Sequence, residues 1–558
     1  MPTYVTSEKL VEAWESSPLL AAKTAIVMGS PVEACNKQEF GPPNISLDGV
    51  ASVPESESDV QPVQQQQQQQ QQKPKEKDNT STISTMVALV VYASFASLFL
   101  LAHVREVFRK MLPRKTQREG YAPLLKDFDD FFQRRFYIRI RDCFNHPIDS
   151  RPSRVIGVME RVSHDFNRTF SLTGNIVPCV NLSSYNYLGF AEDTPSITHQ
   201  VLDSIDRYGI ASCSAPWEAG QHSPVAQLEH AVADFLGKDD AIVCGMGFGT
   251  NFRGLPALFG SDSLVISDSL NHSSLVNGVR MSGARVKVFK HDNFGQLETV
   301  LREAVVLGRN PTGAYVPWTR IIIVVEGVYS MEGEIVDLAR VVELKKKYGA
   351  LLFVDEAHSI GAIGRTGRGV TEHCGVDPKD VEILMGTFTK SFGSIGGYLA
   401  GQQSIIDYLR THSSIALHCD TLAPPCAQQV LAALDVIRGR DGTDLGSKRI
   451  QQLKENSRFL RQGLIARGFT VLGDDASPVV PVMLYHTGKL LAVSKECMRR
   501  GLAVVVVGYP ATPLLEGRVR FCISAAHTRE DLQLALDVME EVGKLAYIQY
   551  KPRMTLQQ

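Results

Sequence analysis

Apolar runs alternate with helical stretches from about Val180 onward. The runs predicted as strands are Ala241–Cys244, Leu264–Ser267, Val286–Phe289, Ile321–Glu326, Leu351–Asp355, Glu382–Met385 and Tyr398–Ala400. Helical periodicity predicts helices that include Ala226–Leu236, Leu338–Tyr348 and Ser404–Thr411. Because continuously apolar strands are buried on both faces, this alternation predicts an α/β domain built on a mostly parallel seven-stranded sheet.

Charged side chains stand at the carboxyl ends of these predicted strands, where open α/β sheets bind their ligands. Asp355 ends one strand, Glu326 ends another, and Lys390 follows a third. An isolated lysine is most often a solvated surface charge. In a partly dry loop such as Gly386–Gly393, however, a lysine loses proton affinity and becomes a nucleophilic amine, as a Schiff-base lysine must be.

Three further motifs follow strands, namely Gly245–Asn251, Asp268–Ser274 and Val354–Ser359. The last contains Asp-Glu-Ala-His, which is typical of helicases. The chain lacks the phosphate loop G-x-x-x-x-G-K-[ST] that a helicase needs, so this interpretation is excluded. The glycine-rich motif Gly245–Asn251 suits a phosphate at a helix start. It is only a weak dinucleotide fingerprint, because it lies deep in the domain.

Together these residues match the requirements of a pyridoxal 5′-phosphate (PLP) site. A pyridinium ring stays protonated beside a buried carboxylate, which Asp355 can supply. The amine for the cofactor's aldehyde is Lys390. The candidates for binding the phosphate and for stacking on the ring are Gly247, Phe248, Thr387 and His272.

Composition argues against other classes of function. The net charge of −2 gives no reason to expect a nucleic-acid partner. The ten cysteines are scattered without a C-x-x-C pair, so neither a zinc site nor a disulfide framework is predicted, and no metal is expected. The main body is expected to face a reducing compartment.

The amino-terminal part predicts a tail and a membrane segment. Residues 1–82, which include the glutamine tract Gln64–Gln72, are expected to be disordered, and Met1–Trp14 lacks the apolar core of a secretory signal. Residues 83–104 carry no formal charge over a length that suits one bilayer crossing. More basic residues follow this segment than precede it, which predicts a cytosolic body. A helix lying in the membrane plane remains an alternative.

The rest of the chain is predicted as three segments: residues 105–179 (juxtamembrane and helical), 180–411 (large PLP-binding domain) and 412–558 (a connection and a small α+β domain). Asp127–Ile140 carries aromatics at helical spacing, which favours packing against a domain over resting on the membrane. After the connection His412–Ser457, the small domain is predicted to contain strands Phe469–Leu472, Val479–Tyr485, Ala503–Val507 and Val519–Ser524 and the helix Arg529–Tyr547.

The motifs Gly386–Gly393, Asp268–Ser274 and Asp-Glu-Ala-His-Ser resemble those of the α-oxoamine synthases, which are fold-type I, aspartate aminotransferase-like PLP enzymes. One branch is closer, the catalytic long-chain-base subunit of eukaryotic serine palmitoyltransferase. The stretches similar to that branch are Ser184–Phe190, Glu326–Gly333, Val504–Pro513 and Arg520–Thr528. The resemblance extends from about Ile83 to the end of the chain.

The resemblance implies a role for each matching residue. Lys390 would hold the cofactor covalently and later move the α-proton of serine, while Asp355 would pair with the pyridine nitrogen. His272 would stack on the ring and help to position the substrate carboxylate. The remaining cofactor contacts would be His358 and Ser330 near the phenolic oxygen and Thr387 at the phosphate. Arg520 would bind the amino-acid carboxylate, and Asn186 would contact substrate.

The activity implied is decarboxylative condensation of L-serine with a long-chain acyl-CoA to 3-ketosphinganine. The implied partners are a lysine-lacking homologous subunit and small regulatory subunits, at the endoplasmic reticulum membrane. Alternatives are a synthase making 5-aminolevulinate, 2-amino-3-ketobutyrate or 8-amino-7-oxononanoate, or a non-catalytic membrane scaffold. One departure concerns substrate preference: Pro216 stands where the family usually has arginine.

Overall fold

The structure is a computed structural model that describes residues 85–111, 127–219, 223–310, 313–509 and 511–553. The predicted tail over residues 1–82 lies outside these residues. In chain order the strands are β1 Val155–Val162, β2 Ser171–Asn181, β3 Asp240–Cys244, β4 Ser263–Asp268, β5 Arg285–Phe289, β6 Arg320–Glu326, β7 Leu351–Asp355, β8 Ile383–Thr387, β9 Gly397–Gly401, β10 Val479–Tyr485, β11 Leu502–Ala503, β12 Val505–Val507 and β13 Gly517–Cys522.

The helices cover the sheets and connect the strands. The α-helices are Thr85–Met111, Asp127–Phe132, Ile138–Ile140, Pro195–Tyr208, Pro216–Ala219, Ser223–Leu236, Gly247–Leu258, Ser273–Ser282, Phe294–Leu307, Leu338–Tyr348, Val370–Cys374, Gln403–His412, Ser414–His418, Pro424–Ile437, Leu445–Ala466, Gly488–Arg499 and Arg529–Ala546. A π-helical turn spans Gln133–Tyr137, and 3₁₀ turns span Arg141–Cys143 and Pro378–Asp380.

The central sheet has seven strands in the order β3-β9-β8-β7-β6-β4-β5. Every neighbouring pair is parallel except the two that involve β9, so the sheet is mostly parallel as predicted. All seven predicted strands are present. In β4, β8 and β9 every residue is buried, which explains why their sequences read as continuous apolar runs.

Helix boundaries were predictable where capping residues stand at the ends. Leu338–Tyr348 has the predicted bounds, because the Asp337 side chain accepts a hydrogen bond from the Arg340 amide at its start. Gly349 then adopts a left-handed conformation and ends the helix. The connection His412–Ser457 is more regular than expected. It contains two helices, Ser414–His418 and Pro424–Ile437, and the first half of Leu445–Ala466.

Two smaller sheets have the orders β1-β2-β11 and β10-β13-β12. The helical prediction for residues 105–179 is wrong beyond Cys143, because the antiparallel hairpin β1–β2 follows. The predicted strand Phe469–Leu472 is reduced to a single bridge between Val471 and Val482. The predicted strand Ala503–Val507 is divided, since β11 pairs with β2 whereas β12 pairs with β13.

Helix Thr85–Met111 is the one helix among the described residues that is long and apolar enough to cross a membrane. One stripe of it packs against the rest of the chain: Phe95 faces His486, and Phe99 lies 4.7 Å from Phe136 between ring centroids. Glu106 forms salt bridges of 3.0 Å with Arg134 and Arg135. The segment Asp127–Ile140 therefore packs on this helix.

Candidate active site

Lys390 lies in the loop that follows β8, at the carboxyl edge of the central sheet. Its side chain is half-buried. Loss of water lowers the pKa of the ammonium group to about 8, although the carboxylates of Asp355 and Glu326 oppose this shift. A substantial fraction of neutral amine therefore exists near neutral pH, as a nucleophilic lysine requires.

Asp355 ends β7 and is buried. Both of its oxygens accept hydrogen bonds: Oδ2 from Asn251 Nδ2 at 2.7 Å, and Oδ1 from the Ala357 amide at 2.9 Å. Asn251 also donates to Ser274 Oγ at 3.0 Å. The carboxylate is thereby held in one orientation, as the partner of a pyridinium nitrogen must be.

Glu326 lies directly beside Asp355, because the two residues are in register on β6 and β7. Burial raises the pKa of Glu326 well above its usual value, and the neighbouring Asp355 carboxylate raises it further. Burial and the neighbouring carboxylate therefore both favour the protonated form of Glu326. Its Oε1 accepts a hydrogen bond from the backbone amide of His272.

His272 caps the helix Ser273–Ser282, and its Nδ1 accepts a hydrogen bond from the Ser274 amide at 3.2 Å. This fixes the imidazole while leaving the side chain exposed. Phe248 approaches its ring edge-on, with 6.0 Å between ring centroids. An oriented, accessible ring is suited to stacking on a flat cofactor.

The helix Gly247–Leu258 begins against Thr387. Its first amides have no side-chain cap and are free to bind an anion. A Cβ added at Gly247 would lie only 2.6 Å from Thr387 Oγ1, so the glycine keeps this space open. Thr387 Oγ1 lies 2.8 Å from Thr389 Oγ1. Two hydroxyls and a helix start thus form a cradle for a phosphate.

His358 is buried, and its Nδ1 lies 2.7 Å from the Tyr187 hydroxyl. Burial lowers the pKa of His358 well below its usual value, and the cations Lys390 and Arg520 lower it further. The imidazole is therefore neutral. It lies edge-on to Tyr185, with 5.1 Å between ring centroids.

Arg520, on β13, reaches the site from the small domain and is buried. It donates to the Tyr185 hydroxyl and to the Ser330 carbonyl, the latter at 3.3 Å. Its Nε has no partner among the described residues. Tyr185 also lies 5.4 Å below the amine of Lys390. One aromatic ring therefore connects the amine to a guanidinium that has unused hydrogen-bonding capacity.

The sequence also predicts Ser330 and Asn186 as site residues, and Pro216 departs from the family pattern. Ser330 contacts Arg520 through its carbonyl group. Asn186 is occupied elsewhere: its amide donates to the Pro152 carbonyl at 3.4 Å and accepts from the Ala191 amide at 3.1 Å. Pro216 opens the short helix Pro216–Ala219, a position that tolerates proline.

Sequence reasoning missed several residues of the site. Asn251 was noted only as the end of the glycine-rich motif, and Glu326 only as a strand end. Tyr185 and Tyr187 flank Asn186 in a motif that the resemblance had marked, and both tyrosines face His358. Both stand in the stretch Ser184–Phe190, which resembles the family, so the sequence carries a signal for them.

The residues fit PLP. Asn251 Oδ1 and Arg520 Nε are buried without a partner among the described residues, and the cradle at Gly247 is kept clear by the lack of a side chain. A lysine, a fixed carboxylate and a phosphate cradle at the carboxyl edge of this sheet define a PLP-dependent enzyme of the aminotransferase type. Residues 177–539 match the family described as aminotransferase class I and II.

Similarity to known proteins narrows this class. The chain is 49% identical over 467 residues to long chain base biosynthesis protein 2d of Oryza sativa, which covers 83% of this chain and 95% of that protein. It is 47% identical over 465 residues to serine palmitoyltransferase 2 of Dictyostelium discoideum, which covers 83% and 94%. A solved structure described as SPT with PLP superposes with a TM-score of 0.66 at 26% identity, covering 76% of this chain and all of the other.

The chain therefore belongs to the serine palmitoyltransferase family, within aminotransferase class I and II. The predicted fold class, a fold-type I PLP-dependent transferase, is confirmed.

Proposed function

We propose that this chain condenses L-serine with a long-chain acyl-CoA, such as palmitoyl-CoA, releasing CoA and CO₂ and forming 3-ketosphinganine, in the first step of sphingolipid synthesis. The observation that carries the proposal is the contact of Tyr185 with both Lys390 and Arg520. This contact brings the nucleophilic amine of Lys390 and the guanidinium of Arg520, which can bind a carboxylate, to the same aromatic ring. The names of the relatives support this choice of reaction.

PLP, when bound, withdraws electrons from the α-carbon of the amino acid. Asp355 would hold the pyridine nitrogen protonated, since Asn251 and Ala357 fix its carboxylate. The free amides of Gly247 and Phe248, together with Thr387, would bind the phosphate. His272 would cover one face of the ring. These residues would hold the cofactor in a fixed position throughout the reaction.

Arg520 would bind the carboxylate of serine, with Tyr185 beside it. The Nε, which has no partner among the described residues, and the second N–H of Nη2, whose other N–H goes to Tyr185, provide the fork that a carboxylate matches. This contact would orient the α-hydrogen of serine toward Lys390. With a pKa of about 8, the Lys390 amine can accept that proton and return it at a later stage.

His358 would approach the phenolic oxygen of the cofactor as a neutral group. Its Nδ1 is engaged with Tyr187, so the other ring nitrogen is available to the cofactor. A neutral imidazole contributes a hydrogen bond without adding a second positive charge beside Arg520. The roles of Ser330 and Asn186 would be secondary, since one contributes its carbonyl group to Arg520 and the other is bonded to backbone.

The test is product analysis with labelled serine in membranes that contain the chain, with palmitoyl-CoA and a panel of other acyl-CoAs. We expect 3-ketosphinganine from the wild type and none from Lys390→Ala. If glycine with succinyl-CoA were the best substrate pair, the chain would be a different α-oxoamine synthase. If the purified chain showed no visible absorption band that depends on Lys390, the chain would instead be a non-catalytic scaffold.

The chain would act with a lysine-lacking homologous subunit. Large apolar side chains are exposed around the cofactor loops, namely Met246, Phe248, Trp217 and Ile395. A partner subunit covering them would also close the site to water. Co-expression should raise activity and yield a complex of the two chains, with small regulatory subunits as further components. Full activity of a pure homodimer would contradict this assignment.

Helix Thr85–Met111 would cross the endoplasmic reticulum membrane once and leave the catalytic body in the cytosol. The basic residues that follow its uncharged part, residues 83–104, support this orientation. A membrane attachment suits a reaction whose acyl donor and product both partition into bilayers. Protease protection in sealed microsomes tests the orientation: the body should be digested from outside without detergent.

A further inference from the structure

The turn that joins β1 to β2 presents Phe166 to solvent with 93% of its surface exposed. Phe166 and Asn167 both have positive φ angles, of 59° and 64°. Asparagine adopts this conformation readily, whereas a bulky aromatic residue rarely does. Glycine would form the same turn without strain. The phenylalanine is therefore not explained by the backbone, and the described part of the chain leaves its ring in solvent.

The turn is held rigidly. Asp165 accepts hydrogen bonds from the amides of Arg168 and Thr169, at 3.0 and 2.8 Å, and from the Thr169 hydroxyl at 2.7 Å. Ser163 donates to the same carboxylate at 2.9 Å. The exposed ring is thus carried on a fixed support, as a side chain that inserts into a partner needs to be.

The same turn is attached to the segment that packs on helix Thr85–Met111. Asn167 Nδ2 donates to the Arg139 carbonyl at 3.3 Å, and Arg141 donates to the Arg168 carbonyl at 2.9 Å. A few residues earlier, Arg134 and Arg135 bind Glu106 near the carboxyl end of that helix. The turn therefore belongs to the same side of the molecule as this helix end.

Charges around the turn are mainly positive. Arg139, Arg141 and Arg168 are all exposed. Of the nearby acids, Asp142 is paired with Arg161 and Lys495, whereas Asp165 keeps its charge but directs it to the amides and hydroxyls of the turn. Glu160 binds Thr173 and Asn175. An apolar tip within a cationic rim matches the interface of an anionic bilayer, where aromatic rings lie among negative headgroups.

We propose that the β1–β2 turn, with Phe166 at its apex and Arg139, Arg141 and Arg168 around it, inserts into the interface of an anionic membrane. It would be a second membrane contact besides helix Thr85–Met111, and it would fix the orientation of the catalytic body relative to the bilayer. This inference depends on the membrane attachment proposed above for that helix.

The test uses the full-length protein in nanodiscs of phosphatidylcholine and phosphatidylserine, with brominated acyl chains as the fluorescence quencher. Phe166→Trp reports on the turn, Leu89→Trp reports on the exposed face of the helix, and Tyr315→Trp is the control in a loop beside helix Phe294–Leu307. The signal of the three native tryptophans is measured in the unsubstituted protein and subtracted.

We expect brominated lipid to quench Phe166→Trp at least about twofold more than Tyr315→Trp, and removal of phosphatidylserine to weaken this quenching. Quenching of Leu89→Trp but not of Phe166→Trp would overturn the turn proposal and leave the helix anchor standing. Absence of quenching at both positions would overturn both the turn proposal and the helix anchor. A blue-shifted, unquenched Phe166→Trp would mean that protein covers the turn, which also contradicts the proposal.

Discussion

Asp355 and Arg520 are the two opposite charges of the candidate site, and they are held in different ways. Both oxygens of Asp355 are bonded to groups of the central domain, at 2.7 and 2.9 Å. Arg520 extends from a small sheet and leaves its Nε without a partner among the described residues. We call Asp355, Asn251 and His272 the ring-binding side, and Arg520, Tyr185 and Ser330 the carboxylate-binding side.

This difference agrees with how long each bound molecule would stay: the cofactor on the ring-binding side for many turnovers, and the substrate on the carboxylate-binding side for one. A cofactor that stays through every turnover gains from a carboxylate with one fixed orientation, because no reorganisation is needed. A substrate that enters and leaves needs hydrogen-bond donors that are still free when it arrives. The two sides should therefore respond differently to substitution, the first in cofactor affinity and the second in the kinetics of serine.

Lys390→Ala should abolish the difference between the two sides, since both would act through this amine. We expect condensation activity to fall by more than about 10³-fold, because no other group on the described chain replaces the proton transfer at the α-carbon. Product formation and visible absorbance of the purified protein measure the effect. Lys390→Arg is the matched control: it keeps the charge and should be equally inactive. Activity in either variant would remove Lys390 from the mechanism.

Arg520→Lys should damage only the carboxylate-binding side. A lysine keeps the charge but loses the fork, and the loss of charge-assisted hydrogen bonds should lower kcat/KM for serine about 10- to 100-fold. Cofactor affinity should stay within about twofold of the wild type. Steady-state kinetics and PLP titration separate the two effects. A variant that lost cofactor while binding serine normally would reverse the assignment of the two sides.

Asn251→Ala should weaken only the ring-binding side, by about 5- to 10-fold in PLP affinity, because Asp355 loses one of its hydrogen bonds. The matched control is Asn271→Ala. Asn271 is also buried but donates to the Val324 carbonyl and to Ser267. Equal losses in the two variants, measured by PLP titration, would show that packing rather than the bond to Asp355 matters.

A further prediction concerns pH rather than a substitution. The folded pKa of Lys390 is about 8, below the usual 10.5, so its reactive neutral form should increase up to about pH 8 and then level off. The rate at which the apoprotein takes up PLP, followed by stopped-flow absorbance, should rise about tenfold per pH unit below that point. A rate that kept rising to pH 10 would mean that burial does not perturb this amine.

The sequence signals for the two sides differ in kind. Asp355 ends an apolar strand and His272 follows another, as Lys390 does, so their neighbours in sequence mark them as candidates. The contact of Tyr185 with Arg520 spans 335 positions and has no local signal. The strands show a similar contrast: β8 and β9 of the central sheet are buried along their whole length, whereas β2 is exposed over its first six residues and was not predicted.

The parallel pairing of β2 with β11 has a consequence for synthesis of the chain. Val180 pairs with Leu502, about 320 residues later. At a synthesis rate of about ten residues per second, β2 is made roughly half a minute before β11. During that interval the edge of β2 is open to wrong partners, and a fragment released before Leu502 could not close this sheet. A chaperone that shields the nascent β1–β2 hairpin would act in this interval.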